Sequence, residues 1–246
     1  MSAVTVRQRD CRMFGRPVQT WLARIAPPRG LAGPAGLRLL SEDELARMDR
    51  LVSGQVRQEF AAGRALARLA LGRWLAMPPR QVRLAVDAES RPMLAGPRGL
   101  AAIDFNLSHS GDLVTVAVAG GLRLGIDVEL RTDRASAPAL ARRFFSPAEN
   151  AILERSGPAD YSLRWHRIWT TREAHAKARG IGVRAIGAPL AGHGRSWQRA
   201  GVPVPAGYAG SLVALAPGSS IALAPGRAAG DRTTRPYGNP LREGDH

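Results

Sequence analysis

The sequence of 246 residues predicts a fold that mixes long helices with antiparallel strands. Short apolar segments at 103–107, 113–119 and 124–130 are separated by glycine-containing turns, which is the pattern of successive antiparallel strands. Residues 56–75 and 159–179 have the length and spacing of helices. The sequence therefore predicts a central run of strands with one long helix before it and another after it.

The first third of the chain predicts strands followed by two helices. Residues 1–40 are rich in Pro and Gly and are expected to hold one or two strands with loops. Ser41 and Glu44 form a capping box, which opens a short helix that ends near Ser53. The long helix at 56–75 has one apolar stripe, formed by Val56, Phe60, Ala67, Ala70, Leu71 and Trp74.

Three arginines share another face of that helix, Arg57, Arg64 and Arg68. The pattern leaves open whether they lie on a solvated surface or bind phosphate.

The middle of the chain predicts one antiparallel sheet. Pro78 stops the long helix, and a strand at 82–86 follows. Residues 108–112 are expected to form a polar turn between the strands at 103–107 and 113–119. Gly120-Gly121 is a hairpin signal that leads into the strand at 124–130, so we expect these strands to lie in a single sheet.

The last part of the chain predicts three helices and a closing sheet. Helices are expected at 139–145, at 146–157 behind a second capping box, and at 159–179 before a left-handed Gly180 cap. Loops are expected at 183–207. Closing strands are predicted at 211–216 and 221–224, and a disordered tail at 225–246.

Composition limits the class of protein. One Cys and five scattered His exclude a disulfide framework and a zinc site, so a metal here would be bound by oxygen. No apolar run is long enough for a signal sequence or a membrane span, which leads us to expect a cytosolic protein. The net charge of +15 favours an acidic or phosphorylated partner. Lys177 is the single lysine, since 34 of the 35 basic residues are Arg.

Two carboxylates lie on one face of the strand at 124–130. Leu124, Ile126, Val128 and Leu130 alternate with Gly125, Asp127 and Glu129. We expect the apolar set in a core and both acids in an exposed cleft, with Gly125 leaving room for a ligand. Such a pair can form half of a magnesium site, or it can simply line the solvated face of an edge strand.

A second motif lies on the helix at 159–179. Trp169, Glu173 and Lys177 are spaced four residues apart, so they share a helix face. Alone, Glu173 and Lys177 would be an ordinary helix ion pair. Together with Asp127 and Glu129 they suit a Mg²⁺ ion that holds a diphosphate, with the lysine neutralising the remaining oxygens.

Four segments together carry a family resemblance: FNLSHS at 105–110, LGIDVE at 124–129, FFSPAE at 144–149 and WTTREAHAKARG at 169–180. Their order and spacing resemble the large, monomeric, surfactin-synthetase-activating (Sfp-like) type of 4′-phosphopantetheinyl transferase. The resemblance implies transfer of phosphopantetheine from coenzyme A to a serine of an acyl or peptidyl carrier protein, with Mg²⁺, releasing 3′,5′-ADP. It implies no membrane or nucleic-acid partner.

The resemblance also implies a fold and a set of roles. The fold is α+β, with two similar halves at 1–122 and 123–224, related by a pseudo-two-fold axis, and the active site between them. The metal ligands would be Asp127, Glu129 and Glu173. The coenzyme A contacts would be Arg47, Arg91, Ser108, His109 and Lys177, of which Ser108 and His109 would bind the 3′-phosphate and Lys177 the diphosphate.

The sequence departs from the family pattern at two positions. Arg172 stands where the family usually has Lys, and Ser90 stands where it usually has Gly. The W-x-x-x-E-A form at 169–174 is closer to the branch that serves fatty-acid and polyketide carriers.

For proton removal from the serine we favour Glu173, with Glu129 as the alternative. A Ser108–His109 hydrolase pair is disfavoured, because adjacent side chains leave a strand in different directions. Other residues are expected to be structural: Glu149 as a helix cap, Trp165 in the core, and His166, His175 and His193 at the surface. A basic nucleic-acid-binding module is the alternative function, and it would need arginines gathered on one face with aromatic side chains for stacking.

Overall fold

The computed structural model describes residues 5–27, 30–87, 91–96, 100, 102–181, 186–187, 190 and 194–217. Its strands are β1 (Val6–Met13), β2 (Arg16–Arg24), β3 (Leu84–Val86), β4 (Pro92–Leu94), β5 (Ile103–Ser110), β6 (Leu113–Gly120), β7 (Arg123–Leu130), β8 (Trp197–Gly201) and β9 (Tyr208–Leu215). Its α-helices are α1 (Pro34–Leu37), α2 (Glu42–Asp49), α3 (Gly54–Trp74), α4 (Ala137–Phe144), α5 (Pro147–Glu154) and α6 (Pro158–Arg179).

The first half is an antiparallel sheet covered by α3. Its strands lie in the order β1-β2-β6-β5, and β3 pairs with β4 in a small separate sheet. The buried stripe of α3 packs on β5 and β6 through residues such as Leu66, Leu71, Phe105 and Val116. Small side chains in α3 let the helix lie close to the sheet.

The second half is a smaller antiparallel sheet covered by α6. Its strands lie in the order β7-β9-β8, with Asp127 directly opposite Ser211. Helix α6 packs on β7 and β9, where a methyl group at Gly125 would lie 2.5 Å from the Ala178 nitrogen. Gly125 therefore admits the backbone of α6, and the prediction that it leaves room for a ligand is wrong.

The predicted single sheet is also wrong. The Gly120-Gly121 turn does not return the chain onto β6; β7 instead starts the second sheet. The two glycines form a tight turn as predicted, but β7 cannot pair with β6, because β6 already pairs with β2 on one side and β5 on the other. The α+β class and the two sheet-rich halves are confirmed, while the pseudo-two-fold relation stays a prediction.

Polar side chains of β5 join the two sheets along β7. Four side-chain oxygens accept hydrogen bonds from alternate backbone N–H groups of β7, over distances of 2.6 to 3.3 Å. The pairs are Asp104 with Leu124, Asn106 with Ile126, Ser108 with Val128, and Ser110 with Leu130. We call this row of hydrogen bonds the seam. It satisfies the N–H groups of β7 that do not pair with β9.

Several local predictions are confirmed. Ser41 and Ser146 each cap a helix in a capping box, and Gly180 ends α6 with φ of 69°. The polar turn is shorter than predicted, because β5 continues through Ser110. Strand β8 lies inside the segment predicted to be loops. The predicted strand at 221–224, the tail at 225–246, Ser90 and His193 lie outside the described residues.

Some predicted surface residues are buried. His166 and His175 lie in the interior, and so do Arg64 and Arg68, which pair with Glu44. The surface prediction for the two histidines and the solvated interpretation of these two arginines are therefore wrong. Trp165 lies in the core, as predicted. None of the described helices is both long and apolar enough to cross a membrane.

Candidate active site

Four charged side chains converge where β7 faces α6. Asp127 and Glu129 project from alternate positions of β7, and Glu173 and Lys177 lie one turn apart on α6. The Lys177 Nζ donates hydrogen bonds to Asp127 Oδ1 at 2.7 Å and to Ser108 Oγ at 3.0 Å. We call these four residues the carboxylate cluster. Two motifs about 50 residues apart in the sequence thus form one site.

The two strand acids of the cluster are buried, so the prediction of an exposed cleft is wrong for Asp127 and Glu129. Asp127 is 3% exposed and Glu129 is 6% exposed. The cause is the close approach of α6 over Gly125, together with Arg134, whose guanidinium lies 3.4 Å from Glu129 Oε2. A buried carboxylate is costly unless a cation or hydrogen bonds compensate it.

Burial and mutual repulsion change the acidity of the cluster. Loss of solvation and the charge of Asp127 raise the pKa of Glu129 to about 7. The same two causes raise the pKa of Glu173 to about 7, although Lys177 opposes the shift. Burial lowers the pKa of Lys177, but the charges of Asp127 and Glu173 outweigh it, so the net shift is upward. The ammonium ion is therefore held firmly in its charged form.

The donors of the cluster fit a hard cation. Within the described part of the chain, Asp127 Oδ2 is buried and has no hydrogen-bond partner. Carboxylate oxygens are the ligands that Mg²⁺ prefers. The described His, Cys, Asp and Glu side chains do not already form a three-ligand set, and an ammonium group contacts Asp127 instead. The donor types of the cluster therefore suit a divalent cation.

Ser108 and His109 point to opposite faces of β5. Ser108 Oγ donates to Asp127 Oδ1 at 2.9 Å and so belongs with the carboxylate cluster. His109 faces α3, where its Nδ1 lies 3.7 Å from Glu59 Oε2. Glu59 is buried, and Gln55 donates a hydrogen bond to it. Ser108 therefore contacts the carboxylate cluster, whereas His109 contacts α3.

Arg91 joins the two halves rather than opening toward solvent. It is buried, and its guanidinium donates to Asp104, to the carbonyls of Phe105 and Leu124, and to the Lys177 carbonyl at 2.8 Å. These partners come from β5, β7 and α6. Arg47 lies elsewhere, with its guanidinium 5.8 Å from the centre of the Phe60 ring.

Two residues of the helix motif serve the core. Trp169 stacks on Trp165 at 5.2 Å within a cluster of aromatic rings. Arg172 is buried and pairs with Glu149, which also caps α5 as predicted. Neither residue belongs to the carboxylate cluster. The shared helix face of Trp169 and Glu173 therefore did not predict that Trp169 packs in the core.

Sequence reasoning missed three polar residues around the site. Ser110 donates to Glu129 Oε2 at 2.9 Å, Arg134 pairs with the same oxygen, and Glu59 faces His109. Alternation along β5 placed Ser110 on the same face as Ser108, which was a usable signal. Arg134 and Glu59 carried none, because their positions depend on packing between distant segments.

Comparisons with known proteins point in one direction. A family model described as the 4′-phosphopantetheinyl transferase superfamily matches residues 123–203. A second, described as 4′-phosphopantetheinyl transferase, N-terminal, matches residues 34–120. The two matches meet between β6 and β7, and they cover a large part of each half.

Individual relatives carry related names. The chain is 38% identical over 145 residues to the 4′-phosphopantetheinyl transferase HetI of Nostoc sp., which covers 58% of this chain and 61% of that protein. It is 33% identical over 127 residues to AcpT of Escherichia coli, covering 52% and 60% of the two chains. It is 27% identical over 158 residues to a 4′-phosphopantetheinyl transferase of Bacillus subtilis, covering 59% and 68%. The match thus spans about three fifths of the first two relatives.

Proposed function

The chain belongs to the 4′-phosphopantetheinyl transferase superfamily, and we propose that it activates an acyl or peptidyl carrier protein. In this reaction a serine oxygen of the carrier attacks the coenzyme A phosphorus that bears the pantetheine arm. A new phosphate ester bond forms, the bond to the adenosine half breaks, and 3′,5′-ADP leaves. The serine loses its proton.

The observation that carries this proposal is the carboxylate cluster with its single ammonium group. Three acids converge with Lys177 between a strand and a helix that come from two separate motifs. A fold has little reason to bring three carboxylates together, two of them buried, unless a cation joins them. The reaction needs such a place, because diphosphate charge must be neutralised while the ester forms.

We propose Asp127, Glu129 and Glu173 as the residues that hold a Mg²⁺ ion. When bound, the ion would neutralise diphosphate charge and orient the diphosphate oxygens. Lys177 would then bind phosphate oxygens that the ion leaves uncompensated, and its raised pKa supports a permanent charge in this role. The unpartnered oxygen of Asp127 supports the ligand assignment.

Proton removal from the serine is assigned to Glu173, with Glu129 as the alternative. A general base works best when its pKa is near the working pH. Burial and the charge of Asp127 raise the pKa of each of these acids to about 7 when no cation is bound, so the pKa does not distinguish the two candidates. We favour Glu173 because it is less deeply buried than Glu129 and lies on the helix rather than against the seam.

The remaining coenzyme A contacts divide by location. His109 is proposed to bind the 3′-phosphate, and Arg47 to add positive charge on the α3 side. Ser108 and Arg91 are already engaged in hydrogen bonds with the cluster and with both halves. We therefore propose positioning roles for these two residues, although the family resemblance suggested direct contact.

The proposed partner is an acidic carrier protein, and the net charge of +15 would favour the encounter at low salt. The nucleic-acid alternative is less well supported, because several arginines are buried in ion pairs and the aromatic rings near Trp165 and Trp169 lie in the core.

A direct assay tests the proposal. Purified protein, coenzyme A, Mg²⁺ and an apo acyl or peptidyl carrier protein are incubated, and the carrier is weighed by intact-protein mass spectrometry. The carrier serine should gain one phosphopantetheine arm, and chelation with EDTA should prevent the gain. Carriers of both types that remain unmodified, while the protein is folded and binds coenzyme A, would contradict the proposal.

A further inference from the structure

The seam contains two kinds of hydrogen-bonded pair. In each of the four pairs, a β5 side chain accepts from the β7 residue 20 positions later. Asp104 and Asn106 use an oxygen of a carboxylate or an amide. Ser108 and Ser110 use a hydroxyl, which can accept from the backbone and donate its own proton at the same time.

Both serine protons go to acids of the carboxylate cluster. Ser108 Oγ accepts from Val128 N and donates to Asp127 Oδ1 at 2.9 Å. Ser110 Oγ accepts from Leu130 N at 3.0 Å and donates to Glu129 Oε2 at 2.9 Å. Each hydroxyl therefore bridges the backbone N–H of one β7 residue and the carboxylate of the residue before it.

We propose that Ser110 is a positioning residue, which fixes the Glu129 carboxylate for the divalent cation, and that Ser108 does the same for Asp127. The inference rests on the proposed function, because it assigns these serines to the metal ligands of that site. A serine oxygen that accepts a hydrogen bond from a backbone N–H group has a restricted orientation, so its hydroxyl proton points toward one acceptor. It therefore fixes the rotamer of the acid that it binds.

Ser110 offers the cleaner test, because Ser108 also binds Lys177. Ser110→Ala removes both the backbone acceptor and the donor to Glu129. Ser110→Thr retains the hydroxyl and suits a strand. Thr115→Val is the matched control, because Thr115 is buried directly opposite Ser108, and its hydroxyl donates to the Trp21 carbonyl rather than to an acid of the carboxylate cluster.

The readout is the Mg²⁺ dependence of coenzyme A binding, measured by isothermal titration calorimetry at a series of Mg²⁺ concentrations. Residues that orient metal ligands typically change metal affinity by about 10–100-fold when removed. Ser110→Ala should raise the half-saturating Mg²⁺ concentration by about that factor. Ser110→Thr and Thr115→Val should stay within about threefold of the parent, while Ser110→Ala and Thr115→Val should lose similar stability.

The outcomes separate this inference from the proposed function. An unchanged Mg²⁺ requirement in Ser110→Ala, or equal loss in Ser110→Thr, would contradict the positioning role alone. A similar rise in Thr115→Val would show that general destabilisation is the cause, and it would also overturn the inference. A parent protein that binds coenzyme A without any response to Mg²⁺ would contradict the metal assignment, and the inference with it.

Discussion

Substitution of Gly125 by Ala should separate the two elements that form the carboxylate cluster. The new methyl group would lie 2.5 Å from the Ala178 nitrogen and closer still to the Ala174 carbonyl oxygen. A Cβ atom essentially never lies within 3.0 Å of a non-bonded heavy atom. Both neighbours are backbone atoms of α6, so no side chain can turn away. Strand β7 and helix α6 must therefore move apart.

The cost should be large in both stability and activity. Overpacking typically costs about 1–3 kcal/mol, and backbone contacts on the helix side place this site near the upper end. A loss of about 3 kcal/mol corresponds to a fall of about 6–12 °C in melting temperature for a chain of this size. Displacement of reacting groups by about 1 Å can lower the rate about 100-fold. The 2.7 Å contact between Lys177 and Asp127 would be lost or lengthened.

The assay compares Gly125→Ala with Gly201→Ala by thermal unfolding and by phosphopantetheine transfer. Gly201 lies in β8 of the same sheet, and a methyl group there meets nothing within 4 Å. The control should therefore melt and react like the parent. If Gly125→Ala also melts within about 2 °C of the parent and keeps its transfer rate, the packing argument at Gly125 is wrong.

Three further perturbations test single residues. Glu173 has a folded pKa near 7, above the ordinary 4.5, so its stabilising contribution is complete below about pH 4.5 and is lost as the pH rises through 7. Calorimetry in EDTA should therefore show that Glu173→Gln melts at the same temperature as the parent at low pH and at a higher temperature than the parent at pH 8. A melting temperature below that of the parent at pH 8 would show that Glu173 is not repelled by its neighbours. His109→Ala should weaken binding of coenzyme A by about 10-fold or more, from about 1.5–3 kcal/mol for a hydrogen bond to a charged group, and leave dephospho-coenzyme A unaffected; equal losses would show a structural role. Lys177→Arg should lower the transfer rate at least about 10-fold although the charge is kept, because a planar guanidinium cannot replace the compact ammonium between Asp127 and Ser108. A transfer rate equal to that of the parent would show that any positively charged side chain suffices at this position.

The sequence predicted the membership of the carboxylate cluster well, because short-range spacing decided it. Period two put Asp127 and Glu129 on one face of a strand, and period 3.6 put Glu173 and Lys177 on one face of a helix. The structure brings these two faces together. The capping boxes at Ser41 and Ser146 were equally local and were confirmed.

Features that depend on how distant segments pack were not predictable in this way. The Gly120-Gly121 signal fixes a tight turn but not the strand that β7 pairs with, and β7 paired with β9, about 80 residues later. Burial of Asp127 and Glu129 depends on the close approach of α6. His175 was expected at the surface, yet its ring packs against Trp197 in the second half.

The hydrogen-bond partners of Arg91 differ from the contact that the family resemblance implied. The motif suggested a contact with coenzyme A, but the direction of its side chain depends on β5, β7 and α6 together. Its donors are taken by Asp104 and by backbone carbonyls of three elements. A sequence motif identifies an arginine but does not predict which groups its side chain will bind.

The measurement that bears most directly on the central claim is the intact mass of an apo acyl carrier protein after reaction with coenzyme A and Mg²⁺, compared for three proteins. These are the parent, Asp127→Asn and Asp160→Asn. Asp160 is a matched control, since it is an exposed acid at the start of α6 that pairs with Arg164. We predict one added phosphopantetheine arm with the parent and with Asp160→Asn, and none with Asp127→Asn. Full modification of the carrier by Asp127→Asn would contradict the claim that the carboxylate cluster is the reaction centre.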